Sequence, residues 1–342
     1  MARHLTNMET LARLRAALLG WYERNRRDLP WRRTRDPYAI WVSEVMLQQT
    51  RVAAVVEKYE AFLARFPTVS ALAMAPEQEV LAQWSGLGYY RRARMLHKAA
   101  QVVAATTRGQ MPTTAEELRA LPGIGGYTAA AIASIAHKEP VAVVDGNVER
   151  VLCRIAGWDA NGAHRRKLEE LAARLVDELR PGDFNQAMME LGAIICTPRN
   201  PQCLVCPVSE DCKTRGEHKT VARPRMVSRE VGCALCVRQA ASGSDVEIFL
   251  EQRPSTVSVM PGLWELPSLR EVPDEDVRIT VRHAIMNVNY VVRVCDVREE
   301  DLAKVTVRGG EGQWIPLRVV VGMALTGLAR KVLKRIIAGS VS

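Results

Sequence analysis

Apolar residues recur at helical spacing through the first part of the chain, up to about residue 215, and Pro and Gly turns interrupt the pattern. This spacing predicts a run of helices that each bury one face. β-Branched residues dominate afterwards, in the short segments VGCALCVR, DVEIFLEQR, VNYVVRVCDV and GGEGQWIPL. Such segments predict strands, and a last apolar stretch from about Gly322 to Ile337 predicts a closing helix.

The change of pattern predicts two domains, for which 342 residues are sufficient. Residues 1–218 are expected to be all-α, and residues 231–342 to form a small α+β domain. The stretch 219–230 is rich in Arg, contains Pro224 and has no apolar period, so we expect a linker there.

The composition is that of a globular protein, with 48% apolar and 25% charged residues. A net charge of +9 favours a polyanionic partner, because Lys and Arg release counterions from phosphates. No apolar run reaches the roughly 20 residues of a membrane span, and the first residues lack the apolar core of an export signal. With eight cysteines and no such signal, we expect a protein of the reducing cytoplasm, without a membrane partner.

Four cysteines follow the helical region in one short segment. They are Cys196, Cys203, Cys206 and Cys212. Intervals of six, two and five residues give the chain room to place four thiolates around a small object. Thiolates are the soft anionic ligands that iron–sulfur clusters and zinc require, so the spacing predicts a metal site and leaves both cofactors open.

A glycine-rich turn joins two predicted helices, from Thr114 to Leu121 and from Tyr127 to His137. Between them, Pro122 ends the first helix, and Gly123 and Gly125 let backbone N–H groups approach an anion near the positive end of the second helix. A phosphate of a nucleic acid would suit this turn. A plain turn between packed helices is the commoner explanation of the pattern by itself.

Glu44 is predicted to lie on the apolar face of a helix. Asp36 followed by Pro37 predicts an N-cap and a first turn, and Ile40 lies one turn before Glu44. Burial would raise the pKa of this carboxyl toward neutrality and make it a candidate general acid. The alternative is a glutamate that reaches solvent or pairs with Arg51.

Asp145 follows the apolar run VAVV and precedes the helical pattern GNVERVLCRIAG. Its position predicts a helix N-cap, which explains the residue without any catalytic role. Its place shortly after the glycine turn and the second helix is the reason to consider a functional role.

Six segments resemble MutY-type adenine DNA glycosylases, of the endonuclease III or helix-hairpin-helix-GPD superfamily, in kind, order and separation. They are SEVMLQQTRV, GLGYYRRAR, LPGIGGYTAAAI, VDGNVERV, FNQAMMELGA and the cysteine segment. The resemblance covers most of residues 20 to 215. It implies a helix-hairpin-helix glycosylase domain over 1–218 whose loop 196–212 binds a 4Fe–4S cluster; zinc is the lesser alternative.

The resemblance implies roles for individual residues. Glu44 would be the proton donor and Asp145 the carboxylate that stabilises the sugar cation, with Tyr127 and Asn147 assisting at the reacting centre. The residues implied in binding DNA or the extruded base are Arg27, Trp31, Arg32, Gln49, Tyr89, Gly123, Gly125, Gln186 and His283.

Within that set, Gln49 and Tyr89 would enter the duplex, and Arg27, Trp31, Arg32 and Gln186 would line the base pocket. Trp31 and Tyr89 could instead be core aromatics. Bifunctional relatives place a Lys after the hairpin glycines to form a Schiff base, whereas this chain has Tyr127, which implies a monofunctional enzyme.

Residues 231–342 resemble the Nudix-like module that recognises 8-oxoguanine in this family, most clearly in the segment PGLWELPSL. The family's recognition loop carries Phe-Ser-His after a His, but here His283 is followed by Ala-Ile-Met-Asn. The hydroxyl and imidazole of that loop are missing, so we expect discrimination of 8-oxoguanine from guanine to be weaker or differently built.

The implied function is base excision repair by a monomeric, nucleoid-associated enzyme that hydrolyses the N-glycosidic bond of adenine opposite 8-oxoguanine or guanine in double-stranded DNA. One alternative is a glycosylase with lyase activity on oxidised pyrimidines. Another is an iron–sulfur protein that binds DNA without catalysis.

Overall fold

The computed structural model describes residues 5, 7–159, 164–215, 225–240, 243, 245–272, 277–285 and 287–339. By packing, the chain forms two units, Met1–Met74 with Met95–Ala222 and Ala75–Arg94 with Arg223–Ser342. A bilayer crossing needs a long apolar helix, and none of the helices in the described ranges has both properties.

Helices occupy the chain up to the cysteine segment, as the apolar spacing predicts. In chain order they are α1 (Met8–Asn25), α2 (Pro37–Leu47), α3 (Val52–Arg65), α4 (Val69–Met74), α5 (Glu77–Trp84), α6 (Arg91–Thr107), α7 (Ala115–Arg119), α8 (Gly126–His137), α9 (Gly146–Ala156), α10 (Arg165–Leu175) and α11 (Pro181–Ile194). Within its described residues, the first unit contains no strand.

Three helix contacts hold together the middle of the first unit. α2 packs against α8, and α11 packs against both α8 and α9. The approach of α11 to α9 depends on Gly192, because a Cβ there would lie 2.6 Å from the Cβ of Asn147. These contacts join four helices that carry predicted site residues: Glu44 on α2, Tyr127 on α8, Asn147 on α9 and Gln186 on α11.

The second unit combines two small sheets with short helices and α14. After residue 223 its elements are β1 (Val227–Leu235), β2 (Val237–Gln239), β3 (Val246–Gln252), β4 (Trp264–Glu265), β5 (Val277–Ile285), β6 (Val288–Asp296), α12 (Leu302–Val305), β7 (Gln313–Pro316), α13 (Leu317–Val320) and α14 (Gly327–Gly339). One sheet has the order β1-β6-β5, with β1 parallel to β6, and the other has the order β2-β3-β4, with β7 also paired to β3. The α+β class is therefore confirmed.

The structure differs from the predicted division in two respects. β1 begins at Val227, inside the predicted linker, and residues 219–224 of that linker lie outside the described residues. In addition, Ala75–Arg94 belongs to the second unit, where Tyr90 OH donates to the carbonyl of Leu325 at 2.9 Å and Arg94 Nη2 to that of Pro261 at 2.5 Å. Local periodicity contains no information about such long-range contacts.

Candidate active site

Glu44 is buried in α2, as its place in the apolar face predicts, with 5% of its surface exposed. The Asp36 side chain accepts hydrogen bonds from the N–H groups of Tyr38 and Ala39 and thereby caps this helix. Tyr127 OH donates to Glu44 Oε2 at 2.5 Å. Among the described residues, Glu44 therefore shows neither of the two alternatives, exposure to solvent or an ion pair with Arg51.

The surroundings of Glu44 raise the pKa of its carboxyl to near neutral pH. Burial raises its pKa to about 7, against an ordinary value of 4.5, and the charge of Asp145 acts in the same direction. The hydrogen bond from Tyr127 and the charge of Arg32 act in the opposite direction and are outweighed. The two carboxyl groups are therefore close enough to influence each other.

Tyr127 occupies the first turn of α8, immediately after the glycine turn. Burial raises its pKa well above the ordinary range, and the charges of Glu44 and Asp145 raise it further. Its hydroxyl also lies 3.5 Å from Met189 Sδ on α11. A neutral tyrosine in this place can donate a proton in a hydrogen bond but offers no amine for a Schiff base.

Asp145 is the N-cap of α9, as predicted, and accepts a hydrogen bond from Val148 N–H at 2.7 Å. Asn147 Nδ2 donates to its other oxygen at 3.0 Å. The amide oxygen of Asn147 in turn accepts from Arg150 Nη2 at 2.9 Å. Donors therefore meet both carboxylate oxygens and fix the orientation of the Asp145 side chain.

Arg27 and Arg32 converge on Glu190, a residue of α11 that the sequence reasoning missed. Arg27 donates to it from Nε at 2.8 Å and from Nη2 at 2.6 Å, and Arg32 donates from Nη2 at 2.9 Å. Burial would raise the pKa of Glu190, but the hydrogen bonds from both arginines outweigh it and lower the pKa to about 2. A lone carboxylate in the apolar run FNQAMMELGA was the clue that could have identified it.

Two other predicted base contacts occupy different settings. Trp31 is 6% exposed and makes an edge-to-face contact with Tyr59, with ring centroids 5.5 Å apart, as a core aromatic does. Gln186 and Arg32 line one polar cavity of about 120 Å³, together with neighbouring arginines and the first turn of α11. Arg32 therefore connects Glu190 to this cavity.

Gln49 and Tyr89, the predicted wedge residues, both have left-handed backbone, with φ of 56° and 48°. This conformation is uncommon for residues other than glycine and holds each side chain at a turn. Tyr89 is 48% exposed, so it is not a core aromatic. The two residues belong to different units.

The glycine turn has the helix-hairpin-helix arrangement that the sequence predicts. Thr114 and Glu117 form a capping box at the start of α7. Gly123 has φ of 76°, and a Cβ there would lie 2.5 Å from Met95 Cβ. Gly125 is the N-cap of α8 and has open space beside it, so its backbone is accessible to a ligand.

His283 lies within β5, opposite Tyr290 of β6, and not in a loop. Burial lowers its pKa, and the charge of Lys331 acts in the same direction. The strand continues to Ile285 and β6 begins at Val288, so the expected recognition loop is the tip of a tight hairpin. Met286, which lies between the two strands in sequence, is outside the described residues.

The four cysteines of the predicted metal site line a single cavity beside Arg154. In the described part of the chain, no three thiol, imidazole or carboxylate groups converge closely enough for one metal ion. Burial raises the pKa of the Cys206 thiol to about 11, so thiolates need positive charge nearby. Arg154 Nη1 donates to Cys196 Sγ at 3.3 Å and supplies such charge, and the donor set and the shared cavity fit an iron–sulfur cluster.

Two family models match the chain. That of the HhH-GPD superfamily base excision DNA repair proteins matches residues 42–178, and that of the iron–sulfur binding domain of endonuclease III matches residues 196–212. The second match covers the four cysteines from first to last. The chain thus contains an iron–sulfur binding domain, and its cofactor is a 4Fe–4S cluster.

Curated relatives share the sequence over much greater lengths. Adenine DNA glycosylase of Homo sapiens is 40% identical over 321 residues, which cover 77% of this chain and 59% of that protein. Adenine DNA glycosylase of Mycolicibacterium smegmatis is 46% identical over 200 residues, which cover 58% of this chain and 68% of that protein. The chain spans 59 to 61% of the length of its mammalian relatives.

Solved structures resemble the helical part. A thermostable thymine-DNA glycosylase superposes with a TM-score of 0.58 at 32% identity, over 61% of this chain and 98% of that one. An endonuclease III in a non-covalent DNA complex has a TM-score of 0.54 at 22% identity, over 62% and 97%, which is a likeness of fold. This chain belongs to the adenine DNA glycosylase family, within the HhH-GPD superfamily of base excision DNA repair proteins.

Proposed function

We propose that this protein is a monofunctional DNA glycosylase, which hydrolyses the N-glycosidic bond of adenine mispaired with 8-oxoguanine or guanine. The observation that carries the proposal is the buried Glu44, whose pKa is raised to about 7, beside Tyr127 and Asp145. As part of the same proposal, the substrate is double-stranded DNA. The protein acts as a monomer in the cytoplasm and is associated with the nucleoid through DNA binding.

Cleavage of the bond needs a proton on the leaving base and negative charge near the sugar. Glu44 supplies the proton, since a pKa of about 7 leaves a large fraction of the carboxyl protonated at neutral pH. Asp145, which accepts from Val148 N–H and Asn147, faces the sugar as an anion and stabilises its developing positive charge. General acid catalysis of this kind is worth a factor of about 10² to 10⁴.

The bond is out of reach in stacked DNA, so the adenine must leave the helix. Gln49 and Tyr89 are the proposed wedges, because each stands at a turn with left-handed backbone. Arg27, Trp31, Arg32 and Gln186 are the proposed contacts of the extruded base. Arg32 and Gln186 line one polar cavity, Glu190 holds Arg27 and Arg32 in place, and Trp31 contributes from the core. Gly123 and Gly125 bind a backbone phosphate at the start of α8.

The cluster is proposed to bind through Cys196, Cys203, Cys206 and Cys212. When bound, it cross-links a segment that otherwise has short 3₁₀ and turn structure. The second unit is the proposed Nudix-like module that reads the base opposite adenine, with His283 and the β5–β6 hairpin at that contact. Ala284, Ile285, Met286 and Asn287 follow His283 where the family's loop carries Phe-Ser-His, so we expect the discrimination of 8-oxoguanine from guanine to be weaker or differently built.

The test is single-turnover excision from duplexes that carry adenine opposite 8-oxoguanine, guanine, cytosine or thymine. We expect release opposite the first two, and loss of at least about 10²-fold in Glu44→Gln. Glu251→Gln is the matched control, because Glu251 is also buried, with a pKa raised by burial to about 7, but it lies in β3 of the second unit. Excision by Glu44→Gln at the wild-type rate would exclude the proposed mechanism.

Borohydride trapping separates this proposal from a glycosylase with lyase activity. We expect no covalent protein–DNA species on any of the duplexes, because Tyr127 has no amine to form one. A trapped species on a duplex with an oxidised pyrimidine would favour the lyase instead.

A further inference from the structure

Arg92, at the start of α6, lies beneath the turn that carries Tyr89. Its Nη2 donates to the carbonyls of Leu87 at 3.2 Å and Gly88 at 3.1 Å, and its backbone N–H donates to the carbonyl of Tyr89 at 2.9 Å. Trp84 Nε1 donates to the same Gly88 carbonyl at 3.1 Å. Arg92 therefore contacts each of the three residues that lead into and include Tyr89, Leu87 and Gly88 through its side chain and Tyr89 through its backbone N–H.

The guanidinium also lies against two aromatic rings. Its central carbon is 5.3 Å from the centroid of Trp84 and 5.5 Å from that of Tyr89. Trp84 is fully buried, whereas Tyr89 is 48% exposed, so the cation joins a fixed ring to an exposed one. Contacts of this kind are attractive because the ring faces carry negative charge, and the attraction is stronger where water is excluded.

Burial of Arg92 has a cost that the contacts must offset. Desolvation lowers its pKa to about 10, which still leaves the side chain charged at neutral pH. A lysine could keep the charge, but it lacks the planar fork that donates to two carbonyls while lying flat against a ring. The site thus uses properties specific to arginine.

The turn itself gives Tyr89 little rigidity. Gly86 and Gly88 have φ of 100° and 71°, and Tyr89 has φ of 48°. Glycines permit this path but lose more conformational freedom than other residues when they are held in it. An exposed tyrosine on such a turn needs an external contact to keep its ring in one orientation.

We propose that Arg92 is the positioning residue of the Tyr89 wedge: its guanidinium fixes the Leu87–Tyr89 turn and holds the Tyr89 ring in the orientation that enters the base stack. The inference rests on the proposed function of Tyr89. It assigns Arg92 no contact with the substrate.

The experiment is a double-mutant cycle of Arg92→Met and Tyr89→Ala. The measured quantity is the rate of base extrusion. It is monitored by the stopped-flow fluorescence of a 2-aminopurine placed beside the adenine of an adenine–guanine mispair. We expect Arg92→Met to slow extrusion about tenfold, the equivalent of losing one charged contact of about 1.4 kcal/mol, and Arg92→Lys to have a smaller effect. In the Tyr89→Ala background, Arg92→Met should change the rate less than twofold.

Two controls exclude a general loss of charge or of structure. Arg229→Met removes one exposed positive charge from β1 and should leave extrusion unchanged. Thermal unfolding should be measured for each variant, and if Arg92→Met does not fold, Arg92→Lys takes its place in the same cycle. Equal slowing by the Arg92 substitution with and without the Tyr89 ring would overturn the inference.

The outcomes for the two proposals can be distinguished because extrusion precedes bond cleavage. A wild-type protein that extrudes adenine without releasing it would refute the glycosylase and leave the coupling of Arg92 to Tyr89 intact. A wild-type protein that releases adenine, with additive effects of Arg92 and Tyr89, would refute the positioning role alone. Absence of extrusion by the wild type would refute both.

Discussion

At the scale of single residues, Tyr127 controls the acidity of Glu44. Its hydrogen bond stabilises the ionised carboxylate and so opposes the effect of burial, and the pKa of Glu44 is about 7 with both effects present. Tyr127→Phe removes the hydroxyl and keeps the ring. We expect the pKa of Glu44 to rise, and the descending limb of the pH–rate profile, which lies near pH 7 in the wild type, to move to higher pH.

The measurement is the single-turnover excision rate between pH 5 and 9 for both proteins. Glu44 acts as an acid only when it is protonated. The excision rate of each protein should therefore fall as the pH rises through the pKa of Glu44 in that protein. Met189→Leu is a suitable control, since it alters the other neighbour of the Tyr127 hydroxyl without adding or removing an ionisable group. A limb that moves to lower pH in Tyr127→Phe would contradict this account of the pair.

The burial of Glu44 also has a consequence for stability. In the unfolded chain the carboxyl ionises at about 4.5, but in the folded protein it stays protonated up to about 7. The free energy of unfolding therefore has its full contribution from the neutral carboxyl below pH 4.5. It decreases by about 3 kcal/mol as the pH rises to about 7. Glu44→Gln should lack this loss and be more stable than the wild type at pH 8, as measured by denaturant unfolding at pH 4.5 and pH 8.

At the scale of elements, Asp145 has two roles that a substitution can separate. It caps α9 through Val148 N–H, and it faces the proposed sugar site as an anion. Asparagine caps helices about as well as aspartate but carries no charge. Asp145→Asn should therefore keep the free energy of unfolding within about 0.5 kcal/mol and lose excision by about 10²-fold or more.

Asp145→Ala is the comparison for the cap. It should lose excision too and, in addition, about 1 kcal/mol of stability, measured by urea unfolding. If Asp145→Asn retained excision, the cap alone would explain why this residue is an aspartate.

The difference between local and distant contacts explains which features could be predicted from the sequence. Caps and glycine turns act over a few residues, so the starts of α2 and α9 and the hairpin before α8 were correctly located from Asp36, Asp145 and the glycines. Glu190 was missed because its partners Arg27 and Arg32 are about 160 residues away along the chain. Burial of a carboxylate is visible in a helical pattern, but the identity of its partner depends on tertiary packing.

The β strands show a similar limit. Four strand segments were identified from β-branched runs, whereas β5 was not, because RITVRH alternates with charged residues. The hairpin it forms with β6 places His283 in a strand, where a loop was expected. Strand pairing, which decides such cases, is set by the partner strand as much as by the strand itself.

At the scale of the whole molecule, the net charge of +9 predicts how the proposed DNA complex responds to salt. Contacts between Lys or Arg and phosphates release counterions, and six to ten such contacts cost about 10³ to 10⁵ in affinity between 50 and 200 mM salt. Many arginines here are held in internal ion pairs, such as Arg13 with Asp211 and Arg180 with Asp183, which places the expectation at the lower end of that range.

Mispaired and fully paired duplexes should lose affinity nearly in parallel as salt is added. Phosphate contacts are the same in both, whereas the contacts to an extruded adenine add a contribution that carries little dependence on salt. The ratio of the two dissociation constants, measured by fluorescence anisotropy with Glu44→Gln to prevent turnover, should therefore change less than about threefold over a range in which each constant changes about a thousandfold. A ratio that collapses with salt would mean that mispair recognition is itself electrostatic, and the base pocket around Arg32 and Gln186 would then not be its source.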